Sequence, residues 1–187
     1  MFHIYLYEGE KIHGADGETL VREAASAYCR EHNVGIEKSN SFEILREAKG
    51  KPYFPNLPIK FNISHSGQMW ICIMGETPCG IDIQEVKECS FKKIAAKYFS
   101  RQEQSYVFKY GLDGFFQIWT RREAFGKYIG GGFYDEHMPS FVDEQGQLKP
   151  YIKRQDNTVY LRELDMGPNI KCAYCNQEEQ DEVYIFG

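Results

Sequence analysis

Three short clusters in this chain gather residue types that do chemistry on phosphates. In Phe61-Asn62-Ile63-Ser64-His65-Ser66-Gly67, an amide, two hydroxyls and an imidazole sit at what reads as a strand end. Such a turn offers hydroxyls, backbone N–H groups and a histidine to an anion. A lone histidine of this kind is more often an ordinary surface or core residue. In Gly80-Ile81-Asp82-Ile83-Gln84, strand alternation places Ile81 and Ile83 on one face and Asp82 and Gln84 on the other. Two oxygen-bearing side chains on one face suit a hard cation such as Mg²⁺. Taken alone, the same pattern also describes a half-exposed strand with a solvent-facing carboxylate. In the third cluster, Trp119, Glu123 and Lys127 are spaced four apart and lie along one side of a helix. Glu123 and Lys127 then form either a weak surface pair or a carboxylate and an ammonium over one pocket. The second arrangement supplies a base and metal ligand beside a charge neutraliser.

The elements that must position these clusters follow from hydrophobic period and turn chemistry. Phe2, Ile4 and Leu6 alternate as a strand, and Gly14-Ala15-Asp16-Gly17-Glu18 reads as a turn. Leu20, Val21, Ala24, Ala25, Tyr28 and Cys29 have helical spacing, with Gly35 beyond the end. A short strand is expected from Ser41 to Arg46, an extended loop across Pro52, Pro55 and Pro58, and strands at 61–64, 69–74 and 80–83. Ser90 is placed to cap a helix over 91–98. Ser100-Arg101-Gln102-Glu103 has capping-box spacing. A break at Gly111–Gly114 precedes a helix from Phe115 to Tyr128 that stops at Gly130-Gly131-Gly132. Strands then follow at 140–142, 148–153, 158–164 and 171–175. The acidic stretch Glu178–Glu182 reads as solvated.

Composition narrows the class. A chain of 187 residues is long enough for one domain or two small lobes. With 42% hydrophobic and 26% charged residues it is globular, not disordered or fibrous. A net charge of −5 argues against a general nucleic-acid coat. No apolar run approaches the roughly 20 residues of a membrane span, and the N-terminus lacks a secretory pattern. The six cysteines therefore read as free thiols of a cytoplasmic protein. Cys172-Ala173-Tyr174-Cys175 is a lone C-x₂-C, and alternating core residues explain it better than zinc.

Taken together, the clusters resemble the 4′-phosphopantetheinyl transferases, in their larger single-chain form. The resemblance rests on Gly50-Lys51-Pro52, Phe61-Asn62-Ile63-Ser64-His65-Ser66, Gly80-Ile81-Asp82-Ile83, Phe99-Ser100-Arg101-Gln102-Glu103 and Trp119-x-x-Arg122-Glu123-Ala124-x-x-Lys127. It covers about Leu20 to Phe141, and the first 20 residues fit poorly. It implies an α+β fold of two similar strand–helix–strand lobes, 1–78 and 79–187, forming an intramolecular pseudo-dimer with the active site in the cleft. It also implies transfer of phosphopantetheine from coenzyme A to a serine of an apo acyl or peptidyl carrier protein, releasing adenosine 3′,5′-bisphosphate.

In that reading Asp82 and Glu123 bind Mg²⁺, or Mn²⁺ in its place, with Gln84 as a third group. Glu123 is also the base, directly or through water. Lys127 neutralises the pyrophosphate, and Lys51, Ser64 and His65 contact coenzyme phosphates. Trp119 anchors the helix. The expected protein is a monomer with no nucleic-acid or membrane partner. A basic stripe of Lys93, Lys97 and Arg101, with Lys92 beside it, is expected to dock the acidic carrier. Three departures stand out. Gln84 occupies a position where many members carry a second carboxylate. The chain lacks the longer basic N-terminal region, leaving Lys11 and His13 to face the 3′-phosphate. Arg122 replaces a lysine, keeping charge but not geometry. The weakened metal site keeps an alternative open, a non-catalytic homologue that binds coenzyme A or carrier.

Overall fold

A computed structural model describes residues 1–10, 12–34, 42–135, 137–180 and 183–186. Strand β1 (Phe2–Glu8) leads into helix α1 (Gly14–Glu31), then the short strands β2 (Leu45–Arg46) and β3 (Pro52–Tyr53). Strands β4 (Lys60–Ser66), β5 (Met69–Gly75) and β6 (Gly80–Glu85) precede helices α2 (Phe91–Tyr98) and α3 (Arg101–Ile129). Strands β7 (Tyr151–Lys153), β8 (Thr158–Asp165), β9 (Ile170–Asn176) and β10 (Val183–Phe186) complete the chain. The class is mixed α+β.

The larger strands form two four-stranded sheets, ordered β10-β1-β5-β4 and β6-β9-β8-β7. Alternation along each strand sorts the core into layers. Tyr5, Trp70, Cys72, Met74 and Phe61 of the first sheet pack on Val21, Ala24, Ala25 and Tyr28 of α1. Phe2, Ile4, Ile71 and Ile73 on its other face meet Ile81, Ile83, Cys172 and Tyr174 of the second sheet. The far face of the second sheet, through Val159, Leu161 and Cys175, covers Ala124, Phe125 and Tyr128 of α3. The layers run α1, first sheet, second sheet, α3.

The two sheets meet along their edge strands without a backbone ladder. Asn62, Ser64 and Ser66 alternate with Phe61 and Ile63, so all three point away from α1. Asn62 Oδ1 accepts from the Ile81 N–H at 3.0 Å, Ser64 Oγ from Ile83 at 3.3 Å and Ser66 Oγ from Glu85 at 3.0 Å. Side-chain oxygens of β4 thereby satisfy the edge N–H groups of β6, which would otherwise be left open.

Several expectations change. The expected turn at Gly14–Glu18 is the first part of α1, where Asp16 sits in the first turn and favours the positive end of a helix. The strand expected from Ser41 is confined to Leu45–Arg46, and Ser41 and Gly35 lie outside the described residues. Ser90 takes the N-cap position of α2, but its hydroxyl makes no cap bond. Ser140–Val142 is not a strand; only a Val142–Leu148 bridge forms. The strand expected at 148–153 is reduced to β7, which spans only Tyr151–Lys153. Strands β3 and β10 have no counterpart among the expected elements, and β10 pairs in parallel with β1.

The capping box at Ser100 and Glu103 forms as expected. The expected break also forms, at Gly111 (φ 64°, ψ −140°), a non-helical kink where two helices join within the α3 span. That element ends at Gly130 in the left-handed region.

Where α3 crosses β6 the backbones approach closely. A Cβ on Gly80 would lie 2.0 Å from the Ala124 carbonyl oxygen and 2.9 Å from the Tyr128 nitrogen. Only glycine fits there. Gly80→Ala should cost about 2–3 kcal/mol by forcing the elements apart. A urea midpoint equal to that of the wild type would contradict this packing.

Candidate active site

Asp82 stands at the centre of β6, 2% exposed. As residue 82 it shares the α3-facing side with Gly80 and Gln84, while Ile81 and Ile83 enter the inter-sheet core, as alternation requires. Its carboxylate has three partners. Oδ1 accepts from Ser64 Oγ at 2.7 Å and from Lys127 Nζ at 2.8 Å. Oδ2 accepts from Gln84 Nε2 at 3.2 Å. Ser64 thus accepts from the β6 backbone and donates to the β6 carboxylate at once. Lys127 also donates to the Ile81 carbonyl at 3.0 Å, which ties α3 to β6.

Glu123 lies one turn before Lys127 on α3 and is partly buried. Among the described residues its carboxylate has no hydrogen bond or ion pair closer than 4.0 Å. Burial raises its pKa above the ordinary carboxylate value, and the nearby Asp82 charge raises it further. Lys127 and then Arg122 oppose that shift. The Glu123 carboxyl therefore lies within electrostatic reach of the Asp82 carboxylate and of the one ammonium, Lys127, bonded to it. A hard divalent cation fits this donor set, because two carboxylates and an amide provide oxygen ligands and Glu123 has no fixed counter-charge.

A buried pair behind the site joins the two arms of α3 across the Gly111 kink. Glu103 is fully buried; Oε2 accepts from Arg122 Nη1 at 3.2 Å and from the Ser100 N–H at 2.8 Å. Oε1 accepts from the Phe141 N–H at 3.0 Å. The Arg122 guanidinium lies over Phe99 and Phe133, with centroids at 5.4 and 5.1 Å. Burial lowers the Arg122 pKa and Glu103 opposes this. Sequence reading noted Glu103 only as a cap and Arg122 only as a substitution. Arginine next to a motif glutamate was the available signal, since planar guanidinium suits a buried carboxylate. Trp119 packs as expected, 4.4 Å from Phe133 and 5.5 Å from Phe115 between ring centroids.

The phosphate-contact residues are less uniformly placed. Lys51 Nζ donates to the Lys127 and Tyr128 carbonyls at 2.8 and 3.3 Å, which caps the C-terminal end of α3. Lys51 and Lys127 line an open cavity of about 240 Å³ together with Asn62, Gly126 and Gly132. His65 is exposed on β4 and meets His13 edge-on with ring centroids at 4.4 Å. Partial desolvation pushes its pKa down, followed by His13 and Lys127. Ser64 is buried, with both hydroxyl roles already used. Lys11 lies outside the described residues.

The zinc alternative is not favoured by the fold. Cys172 packs with Ile81 and Ile83, whereas Cys175 packs with Ala124 and Phe125. Three residues apart on one strand, the two thiols face opposite sides. All six cysteines are free.

Residues 78–181, more than half of the chain, match the family model of the 4′-phosphopantetheinyl transferase superfamily. The chain is 32% identical over 167 residues to the 4′-phosphopantetheinyl transferase Sfp of Bacillus subtilis (strain 168), covering 85% of this chain and 71% of that protein. It is 33% identical over 132 residues to 4′-phosphopantetheinyl transferase gsp of Aneurinibacillus migulanus, covering 68% and 55%. Over 96 residues it is 34% identical to 4′-phosphopantetheinyl transferase AcpT of Escherichia coli (strain K12), covering 48% and 49%. The chain belongs to the 4′-phosphopantetheinyl transferase superfamily, the family its motifs resemble.

Proposed function

We propose that this enzyme transfers 4′-phosphopantetheine from coenzyme A to a serine of an apo carrier protein. The observation that carries this reading is the opposition of Asp82 and Glu123 across β6 and α3, with Lys127 bonded to Asp82, in a chain of this family. The serine oxygen forms a bond to the phosphorus that bears pantetheine, and the bond from that phosphorus to the bridging pyrophosphate oxygen breaks. Adenosine 3′,5′-bisphosphate leaves with the bridging oxygen. The serine proton passes to Glu123, directly or through one water.

Asp82, Glu123 and Gln84 are the groups that would hold Mg²⁺, or Mn²⁺ in its place. A cation held there supplies charge stabilisation for the oxygens of the pyrophosphate. Lys127 adds fixed positive charge beside the same atoms. His65 and Lys51 are assigned to coenzyme phosphates, with the cavity beside Lys51 and Lys127 as the entrance. We assign Ser64 chiefly to holding Asp82, and His13 beside His65 to the 3′-phosphate. Lobes of 1–78 and 79–187 related as an intramolecular pseudo-dimer would place the cleft at the β4–β6 junction, where Asp82 sits.

The carrier surface is assigned to α2 and its groove. Lys92, Lys93, Lys97 and Arg101 are all exposed. Beside them a groove of about 410 Å³ is lined by Phe91, Ala95, Val107 and Phe108, and Phe108 is 93% exposed. An acidic partner with one apolar side-chain row complements both features. Among the described residues no helix is long and apolar enough to cross a membrane.

Intact-mass measurement on an apo carrier incubated with enzyme, coenzyme A and Mg²⁺ tests the reaction. A gain of one phosphopantetheine is expected, with the rate lowered at least about 100-fold in Glu123→Gln. No gain with Mg²⁺ or Mn²⁺ across several carriers would favour the coenzyme-binding homologue instead. In the same assay, Lys93→Glu with Lys97→Glu should raise the carrier's KM about tenfold and leave that of coenzyme A unchanged. Equal effects on both substrates would remove α2 as the docking surface.

A further inference from the structure

Away from Asp82, one cluster of titratable groups is not used by the reaction. His3 on β1 is 3% exposed and points with Tyr5 toward α1. Its Nε2 lies 2.9 Å from Nε2 of His32, the residue that ends α1. Its Nδ1 lies 3.2 Å from Glu31 Oε2 and 3.3 Å from the Tyr5 hydroxyl. One ligand atom from each of His3, Glu31 and His32 falls within 4.8 Å of the others. Tyr28, Tyr184 and Phe186 wall the His3 ring at centroid distances of 5.0, 5.5 and 5.1 Å.

We propose that His3, His32 and Glu31 form a binding site for one borderline divalent cation of the Zn²⁺ type, clipping the end of α1 to strand β1. Two imidazoles and a carboxylate are a ligand set for such ions, whereas Mg²⁺ prefers an all-oxygen set like that around Asp82. Two nitrogens on a tetrahedral zinc with bonds of about 2.0–2.1 Å stand about 3.3 Å apart. The observed 2.9 Å needs only a small opening. Two neutral imidazoles and one carboxylate leave a favourable net charge around a dication. Helix polarity points the same way. Glu31 and His32 stand at the C-terminal end of α1, where the His32 N–H still bonds the Tyr28 carbonyl. That end carries negative partial charge, which attracts a cation. The Tyr5 hydroxyl and the Glu31 carboxylate share the Nδ1 side of His3. With both Nε2 atoms on the ion, Tyr5 keeps the outer place that orients the imidazole and the half-exposed Glu31 swings to the metal.

The test uses the full chain, freed of metal by chelator dialysis and held in excess Mg²⁺ so that the Asp82 site does not compete. Zn²⁺ is titrated by calorimetry, and Co²⁺ by absorption. The expected results are one equivalent of zinc, four-coordinate cobalt bands without thiolate charge transfer, and a rise in Tm with zinc. His3 is buried, so its replacement would report folding as well as binding. His32→Ala and Glu31→Gln carry the test, with unchanged transferase activity as the folding control. His32→Ala should weaken zinc at least about 100-fold and abolish the Tm rise. Glu31→Gln should weaken it about 10–100-fold. The proposal is overturned if the wild type binds no zinc, if His32→Ala binds it equally well, or if cobalt shows thiolate bands.

Discussion

The structure depends on three hydrogen bonds that replace a backbone ladder. Asn62, Ser64 and Ser66 accept from alternate N–H groups of β6 and so close the edges of both sheets against each other. A continuous backbone ladder would join the strands through main-chain groups alone and would leave these side chains out of the joint. Side-chain oxygens do the joining instead, and one of them, Ser64, has a proton left to donate to Asp82 at 2.7 Å. The contact that joins the two sheets also aims the Asp82 carboxylate.

The second constraint is how closely α3 rides over β6. Gly80 admits the Ala124 carbonyl, Lys127 reaches the Ile81 carbonyl and the Asp82 carboxylate, and Lys51 caps the helix from β3's approach. Glu103 and Arg122 hold the two arms of the same helix together across its kink, and removing either would leave a buried charge unpaired. Glu123 is then left as the carboxylate in the site without a fixed partner among the described residues. Its raised pKa follows from that position, buried and close to a like charge.

The sequence made the local features legible. Alternation placed Asp82 and Gln84 on one side of β6, and four-residue spacing placed Glu123 and Lys127 on one side of α3. The capping box at Ser100 and the glycine at 130 marked the ends of a helix. What alternation cannot reveal is which strand lies opposite. Asn62, Ser64 and Ser66 therefore read as a phosphate turn, although their oxygens bond the backbone of β6. Glu103 and Arg122 are 19 residues apart, and their pairing is equally a fact of the folded chain. Strand β10 is four residues long and gains its stability from β1 at the other end of the chain, so no local signal announced it. The start of α1 was hidden by two glycines in a segment that reads as a turn.

One serine serves both the joint and the site, and stability and transfer activity measured side by side for Ser64→Ala and Ser66→Ala separate the two roles. Each variant removes one rung of the β4–β6 joint, so Ser66→Ala should lose about 1 kcal/mol of stability in urea and Ser64→Ala about 2 kcal/mol, having two bonds to lose. Only Ser64→Ala also removes the hydrogen bond to Asp82, so only it should lose phosphopantetheine transfer, by about tenfold or more. Equal activity in the two variants would show that the Ser64 bond to Asp82 has no part in the chemistry.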